Sequence, residues 1–67
     1  MRSHYKSVEV VEAHDLGQRT AIVKAGPFRT FVAATDRARR ISDSFIIHEP
    51  ETTQTYEHWY VVSGRRS

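Results

Sequence analysis

The side chains best suited to recognition chemistry alternate along the last apolar stretch of the chain. Tyr56, His58 and Tyr60 are spaced two apart within residues 55–63, and successive side chains of a strand point to opposite faces of the sheet. If the intervening Trp59 packs against a helix, the three rings lie on the open face of the sheet. Rings on such a face can stack nucleic-acid bases. They can equally pack against a second layer or a second copy of the chain.

A second group of candidates is basic. Three arginines fall in one predicted helix, and two more precede the last residue of the chain. Guanidinium groups bind phosphates and grip carboxylates in a bidentate way, although acidic neighbours on the same helix face favour an ordinary solvated surface. The predicted partner-binding residues are therefore Tyr56, His58, Tyr60, Arg37, Arg39, Arg40, Arg65 and Arg66.

The four histidines do not predict a metal site. His4, His14, His48 and His58 are not spaced four apart on the predicted helix or two apart on a strand, and a tetrahedral zinc site needs three or four convergent ligands. We expect these histidines to be titratable groups on the surface.

The sequence lacks the motifs of catalysis. It contains no nucleophile elbow, no glycine-rich phosphate loop and no pair of carboxylates that the pattern would bury together. A chain of 67 residues also has difficulty enclosing a ligand pocket of ordinary size. We therefore expect a protein that is not an enzyme, uses no cofactor and takes no small-molecule substrate.

Length and composition narrow the class of protein further. The 67 residues predict one domain, residues 1–67. The absence of cysteine excludes disulfides and thiolate metal sites and fits a cytoplasmic location. The formal charge of +2 is mildly basic, so an anionic partner is allowed without being required. No apolar run is long enough for a membrane span.

The stretch that must position the helical arginines has apolar residues at helical spacing. This spacing predicts a helix over residues 31–43 whose apolar stripe covers the core, and Thr30 is placed to cap its start. Intervals of three, four, three and four residues separate the members of the stripe, which are Phe31, Ala34, Ala38, Ile41 and Phe45.

The rest of the chain predicts strands. Residues 14–18 have the length and composition of a hairpin loop, so the first two strands are expected to pair as an antiparallel hairpin. Gly26-Pro27 is expected to end the second strand, since proline offers no donor to the ladder. The predicted strands are residues 5–13, 19–25, 44–48 and 55–63.

The predicted fold class is α+β, a small four-stranded and mainly antiparallel sheet with one helix packed on one face, in the order ββαββ. The rival is an all-β SH3-like barrel in which residues 28–34 form a strand. Residues 23–38, VKAGPFRTFVAATDRA, resemble the strand, Gly-Pro-Phe turn and helix of peptidoglycan-binding SPOR domains. The resemblance covers 16 of 67 residues. The second strand-helix repeat of those domains is missing, so no family is assigned.

Two functional hypotheses follow. The preferred one is a small non-enzymatic interaction module, a protein-protein adaptor or inhibitor, with homodimer formation through the aromatic C-terminal strand as one route. The alternative is a nucleic-acid-binding regulatory module that uses the open sheet face and the arginines.

Overall fold

A computed structural model describes residues 8–64, which form one four-stranded open sheet and one α-helix. The strand order is β1-β3-β4-β2. The β3–β4 and β2–β4 pairs are antiparallel and the β1–β3 pair is parallel. The predicted α+β class is confirmed, and the barrel is excluded because the sheet stays open. The elements are β1 (Val10–Glu12), β2 (Ile22–Phe28), α1 (Phe31–Ala38), β3 (Ser44–Glu49) and β4 (His58–Ser63).

Helix α1 covers one face of the sheet, as its apolar spacing predicts. The Thr30 hydroxyl accepts a hydrogen bond from the Ala33 N–H at 3.1 Å, which confirms the predicted cap. Ala34 and Ala38 are buried against Ile46 and Val61. Their small side chains let the helix backbone approach the sheet closely.

The helix ends five residues earlier than predicted, at Ala38 rather than Asp43. The Ser44 hydroxyl lies 2.9 Å from the carbonyl oxygens of both Ala38 and Ile41, and these two acceptors near the helix end share its single proton. Asp43 has a φ of 56°, a left-handed conformation that a helix does not allow. The chain therefore leaves the helix through a turn fixed by the first residue of β3.

The predicted hairpin of the first two strands is wrong. β1 pairs with β3, and β2 lies at the opposite edge of the sheet. Residues 13–21, which begin with the 3-10 turn Ala13–Asp15, cross the face that the helix leaves uncovered. Their apolar side chains pack on a second core cluster, whereas a hairpin would leave that cluster in water. The side chains that pack on it from this segment are Ala13, Leu16 and Ala21.

Two aromatic residues of the predicted helical stripe do not fill the core between the helix and the sheet. Phe45 is buried, but on the sheet face away from the helix, with Val11 and Val62. Strand alternation decides this, because Phe45 is the second residue of β3 and the next residue, Ile46, takes the helix side. Phe31 is 44% exposed and does not fill the core as predicted.

Gly26-Pro27 does not end the second strand, because β2 continues to Phe28. β2 is an edge strand with register shifts, a setting in which the ladder tolerates proline. Gly26 has a φ of 115°, and a Cβ there would lie 3.0 Å from the Trp59 carbonyl oxygen. The Gly-Pro pair, which was expected to form a turn, is therefore a bulge that follows β4 closely.

Candidate functional site

The candidate surface lies at the end of the sheet where β1, β2 and β3 finish and β4 begins. A row of paired residues crosses all four strands there: Glu12, His48, Trp59 and Phe28. Helix α1 starts at the same end, just after β2. Five residues lie at this end of their elements, and we call them the aromatic end: Arg29 follows β2, Phe31 and Val32 open the helix, Tyr56 precedes β4 and Trp59 is its second residue.

The aromatic end is exposed and preordered by ring contacts. Val32 is 76% exposed, Tyr56 68% and Phe31 44%. The rings of Phe31 and Trp59 lie 6.3 Å apart between centroids, and the Arg29 guanidinium lies 4.3 Å from the centroid of the Tyr56 ring. These distances suit aromatic pairing and cation–π contact.

His48 joins three parts of the chain beneath this surface. Its Nδ1 lies 2.7 Å from a carboxylate oxygen of Glu12 in β1, and its Nε2 lies 2.6 Å from one of Glu57, just before β4. Hydrogen bonds to Glu12 and then to Glu57 raise the pKa of His48 above 6.5, while burial opposes them. The imidazole ring also lies 5.3 Å from the Trp59 ring. The expectation of a surface histidine is wrong here, because only 16% of this side chain is exposed.

Metal binding finds no support in this geometry. Within residues 8–64, no group of three or more histidine or carboxylate side chains is arranged to hold an ion. Both ring nitrogens of His48 are already occupied by carboxylates. The arrangement can instead hold and release a proton.

The predicted row of three rings is divided. His58 and Tyr60 lie on β4 with their rings 5.3 Å apart, edge to face, on the face opposite the helix by alternation with Trp59. Both are half-buried, because residues 13–21 cover part of the face expected to be open. Tyr56 precedes β4, and its carbonyl oxygen accepts a hydrogen bond from His58 Nδ1 at 2.6 Å. Only Tyr56 belongs to the aromatic end.

The predicted arginines do not join the tyrosine row. Arg37 lies 5.8 Å above the Phe28 ring, on the helix side of the sheet. Arg40 forms an exposed ion pair of 3.3 Å with Asp36, and Arg39 ends the helix as its C-cap. The sheet separates these three arginines from His58 and Tyr60. The remaining two predicted residues, Arg65 and Arg66, lie outside the described residues.

The charge of the chain is unevenly distributed. Residues 8–64 hold all eight acidic residues but only six of the ten Lys and Arg residues, so their formal charge is −2. The basic surplus belongs to the two terminal segments, in Arg2, Lys6, Arg65 and Arg66.

Sequence reasoning missed most of the aromatic end. Phe31 and Val32 are adjacent in the first turn of the helix, and neighbouring helical residues point about 100° apart, so one apolar stripe cannot bury both. That conflict was visible in the sequence. The approach of Arg29 to Tyr56 was not, because it depends on the pairing of β2 with β4.

Comparison of this chain with protein-family models, with curated proteins and with solved structures finds no match. Over residues 8–64, no helix has the length and apolar character needed to cross a membrane.

Proposed function

We propose that this protein is a small, non-enzymatic interaction module of the cytoplasm, an adaptor or inhibitor that binds a protein partner through its aromatic end. The supporting observation is the exposure of Val32, Tyr56 and Phe31 beside Trp59 and Arg29. Tryptophan, tyrosine and arginine are the residues that most often dominate the binding energy of protein interfaces.

The ring contacts favour tight binding for an additional reason. Tyr56 is held by Arg29, and Phe31 is held by Trp59, so less side-chain freedom remains to be lost on association. Each rotamer-rich side chain that is immobilised on binding costs about 0.5 to 1.5 kcal/mol. A surface that is ordered in advance avoids part of this cost.

The placement of the arginines supports a protein partner more than a nucleic acid. Nucleic-acid affinity comes largely from cations that neutralise phosphates along one surface, and the full chain has a formal charge of only +2. The helical arginines and the rings of His58 and Tyr60 lie on opposite faces. A nucleic-acid partner remains a prediction that this geometry does not favour.

The structure limits how a homodimer could form through β4. β4 has β3 on one side and β2 on the other, so its backbone cannot pair with a second copy. Self-association through β4 would have to use side chains, and those at its start adjoin the aromatic end.

Two matched valine substitutions test the proposal. Val32→Asp places a charge on the aromatic end, and Val23→Asp places the same charge on β2, where Val23 is 58% exposed. Tagged wild-type and variant chains are used to capture proteins from cell extract, and the captured proteins are identified by mass spectrometry. Thermal melts establish that both variants fold.

We expect wild type and Val23→Asp to retain the same partner and Val32→Asp to lose it. Sedimentation over a range of concentrations measures self-association in the same three chains. If the wild type captures nothing and stays monomeric, or if Val32→Asp behaves as wild type, the proposal is wrong.

A further inference from the structure

His48 is the one histidine of residues 8–64 with carboxylates on both ring nitrogens. An imidazolium donates both of its N–H groups, whereas a neutral imidazole has one donor and one acceptor. At 2.7 Å from Glu12 and 2.6 Å from Glu57, both contacts are favourable only in the charged form. In the neutral form, one ring nitrogen would direct its lone pair at a carboxylate.

The two carboxylates are not equally constrained. Glu12 belongs to β1, which is paired with β3 at this position. Glu57 belongs to residues 50–57, the irregular connection from β3 to β4. The two side chains are similarly exposed, 43% for Glu12 and 50% for Glu57, so the difference between them lies in the backbone. Among residues 8–64, the other hydrogen bonds and cation–π contacts of this connection are those within Thr52–Thr55, the Arg29 stack on Tyr56 and the His58 bond to the Tyr56 carbonyl. Loss of the proton should therefore release Glu57 first.

Among residues 8–64, the charged groups that contact the His48 ring are Glu12 and Glu57. β1 contributes Glu12, the connection contributes Glu57, and β4 contributes the uncharged ring of Trp59. The neighbouring titratable pair, Glu49 and His58, occupies the next register position, on the other face of the sheet by alternation. Helix α1 reaches this site through Phe31, which contacts Trp59.

We infer that His48 is a proton-dependent latch that holds residues 50–57 against the sheet and thereby keeps the aromatic end in its binding conformation. When His48 is charged, its bond to Glu57 fixes the chain next to Tyr56. When His48 is neutral, residues 50–57 are free to move and the aromatic end is less well ordered for binding. The regulatory purpose of the latch rests on the proposed function, but the latch itself can be measured without a partner.

The direction of the pH dependence follows from the geometry and from the raised pKa of His48. The unfolded chain releases this proton near 6.5, and the folded chain releases it at a higher pH. The stabilising contribution is complete below pH 6.5 and is lost as the pH rises through the folded-state pKa. Order at the aromatic end should decrease over the same range.

The test is an NMR titration from about pH 5 to pH 9, which spans the histidine range. It follows the His48 ring, the amides of residues 50–57 and the indole of Trp59, which is the single tryptophan of the chain. Glu57→Gln keeps the shape of the partner but removes its charge. His14→Asn is the matched control, because the His14 side chain is 72% exposed and bonds only to the adjacent Asp15 in residues 8–64.

In the wild type and in His14→Asn, we expect the His48 midpoint to lie above 6.5, with the Tyr56 amide and the Trp59 indole shifting at the same midpoint. In Glu57→Gln, the midpoint should fall towards 6.5 and the shifts at residues 50–57 should largely disappear. A His48 midpoint at or below 6.5 would overturn the inference, as would signals of residues 50–57 that do not follow His48.

The same chains separate the latch from the proposed function. If the titration behaves as expected but no partner binds the aromatic end, the latch stands and the proposed function fails. If a partner binds equally well on both sides of the His48 midpoint, the regulatory role is wrong while the proposed function stands.

Discussion

The two faces of the sheet are covered by different means. On one face, helix α1 places Ala34 and Ala38 over Ile46 and Val61. On the other face, the irregular residues 13–21 cover a cluster that includes Phe45. Arg19 completes that cover, with its guanidinium 4.1 Å from the centroid of the Phe45 ring and two hydrogen bonds of 3.0 Å to the Glu9 carboxylate.

This difference shows two ways in which a small chain can build a cover. The helix makes its interior hydrogen bonds locally, is capped at its start by Thr30 and covers the sheet with an apolar stripe. The irregular segment depends on particular contacts, including a planar cation on an aromatic ring and a close backbone crossing. We therefore expect the helix face to be sensitive to burial of charge and the other face to be sensitive to small changes of shape and geometry.

The largest expected effect is on the helix face. Ala38→Asp would bury a carboxylate at a position that is 3% exposed, at a cost of more than about 4 kcal/mol. A core of this size rarely supplies more than about 3 to 5 kcal/mol, so the domain should unfold, as measured by circular dichroism. The matched control Ala33→Asp, at an exposed position of the same helix, should stay folded. A folded Ala38→Asp variant would show that the helix does not seal this face.

The next largest effect is expected on the other face, where Gly64 passes close to the backbone of Thr20. Gly64 follows β4, and a Cβ there would overlap the Thr20 carbonyl oxygen. Gly64→Ala should therefore displace residues 13–21 and lower the free energy of unfolding by about 2 to 3 kcal/mol, as measured by urea denaturation. An unchanged denaturation midpoint would mean that this segment shifts without cost and is not part of the core.

A smaller effect is expected for the cation on that face. Arg19→Ala removes the stack on Phe45 and both bonds to Glu9, at a cost of about 1 to 2 kcal/mol because Glu9 remains partly in water. Arg19→Lys keeps the charge but loses the planar fork, so it should restore only part of the stability. Full restoration by lysine in the same urea assay would show that charge alone is sufficient.

The smallest effect is expected at the start of the helix. Thr30→Ala removes the hydroxyl that caps the Ala33 N–H and should cost about 1 kcal/mol. Thr53→Ala, at an exposed position between β3 and β4, is the control and should leave the thermal midpoint unchanged. A larger loss for Thr30→Ala than for Arg19→Ala would reverse the proposed contrast between the faces.

Local patterns predicted the helix and the central strands well. The apolar spacing and Thr30 located the start of α1, and alternation correctly placed Trp59 on the sheet face opposite Tyr60. Which of these two faces meets the helix was left open. These features depend on neighbours within a few residues. The predicted end of the helix was wrong, because the observed end depends on Ser44, whose hydroxyl bonds to the carbonyl oxygen of Ala38.

The candidate site was less predictable. Tyr56 was chosen as the first ring of an alternating row on the predicted strand 55–63, but it precedes β4 and lies on the aromatic end, apart from His58 and Tyr60. Arg29 and His48 acquire their roles only through strand pairing, since Arg29 reaches a ring 27 residues away in sequence and His48 bonds to Glu12 across 36 residues.

The sequence by itself determined where the helix starts and which segments are extended, because backbone preference and side-chain period are local properties. Only the tertiary structure decided that β1 joins β3, that residues 13–21 form the second cover and that two carboxylates meet on His48. Those outcomes depend on which apolar surfaces, distant in sequence, pack together and exclude water. The spacing of residues along the chain does not specify which of the possible pairings is the most stable.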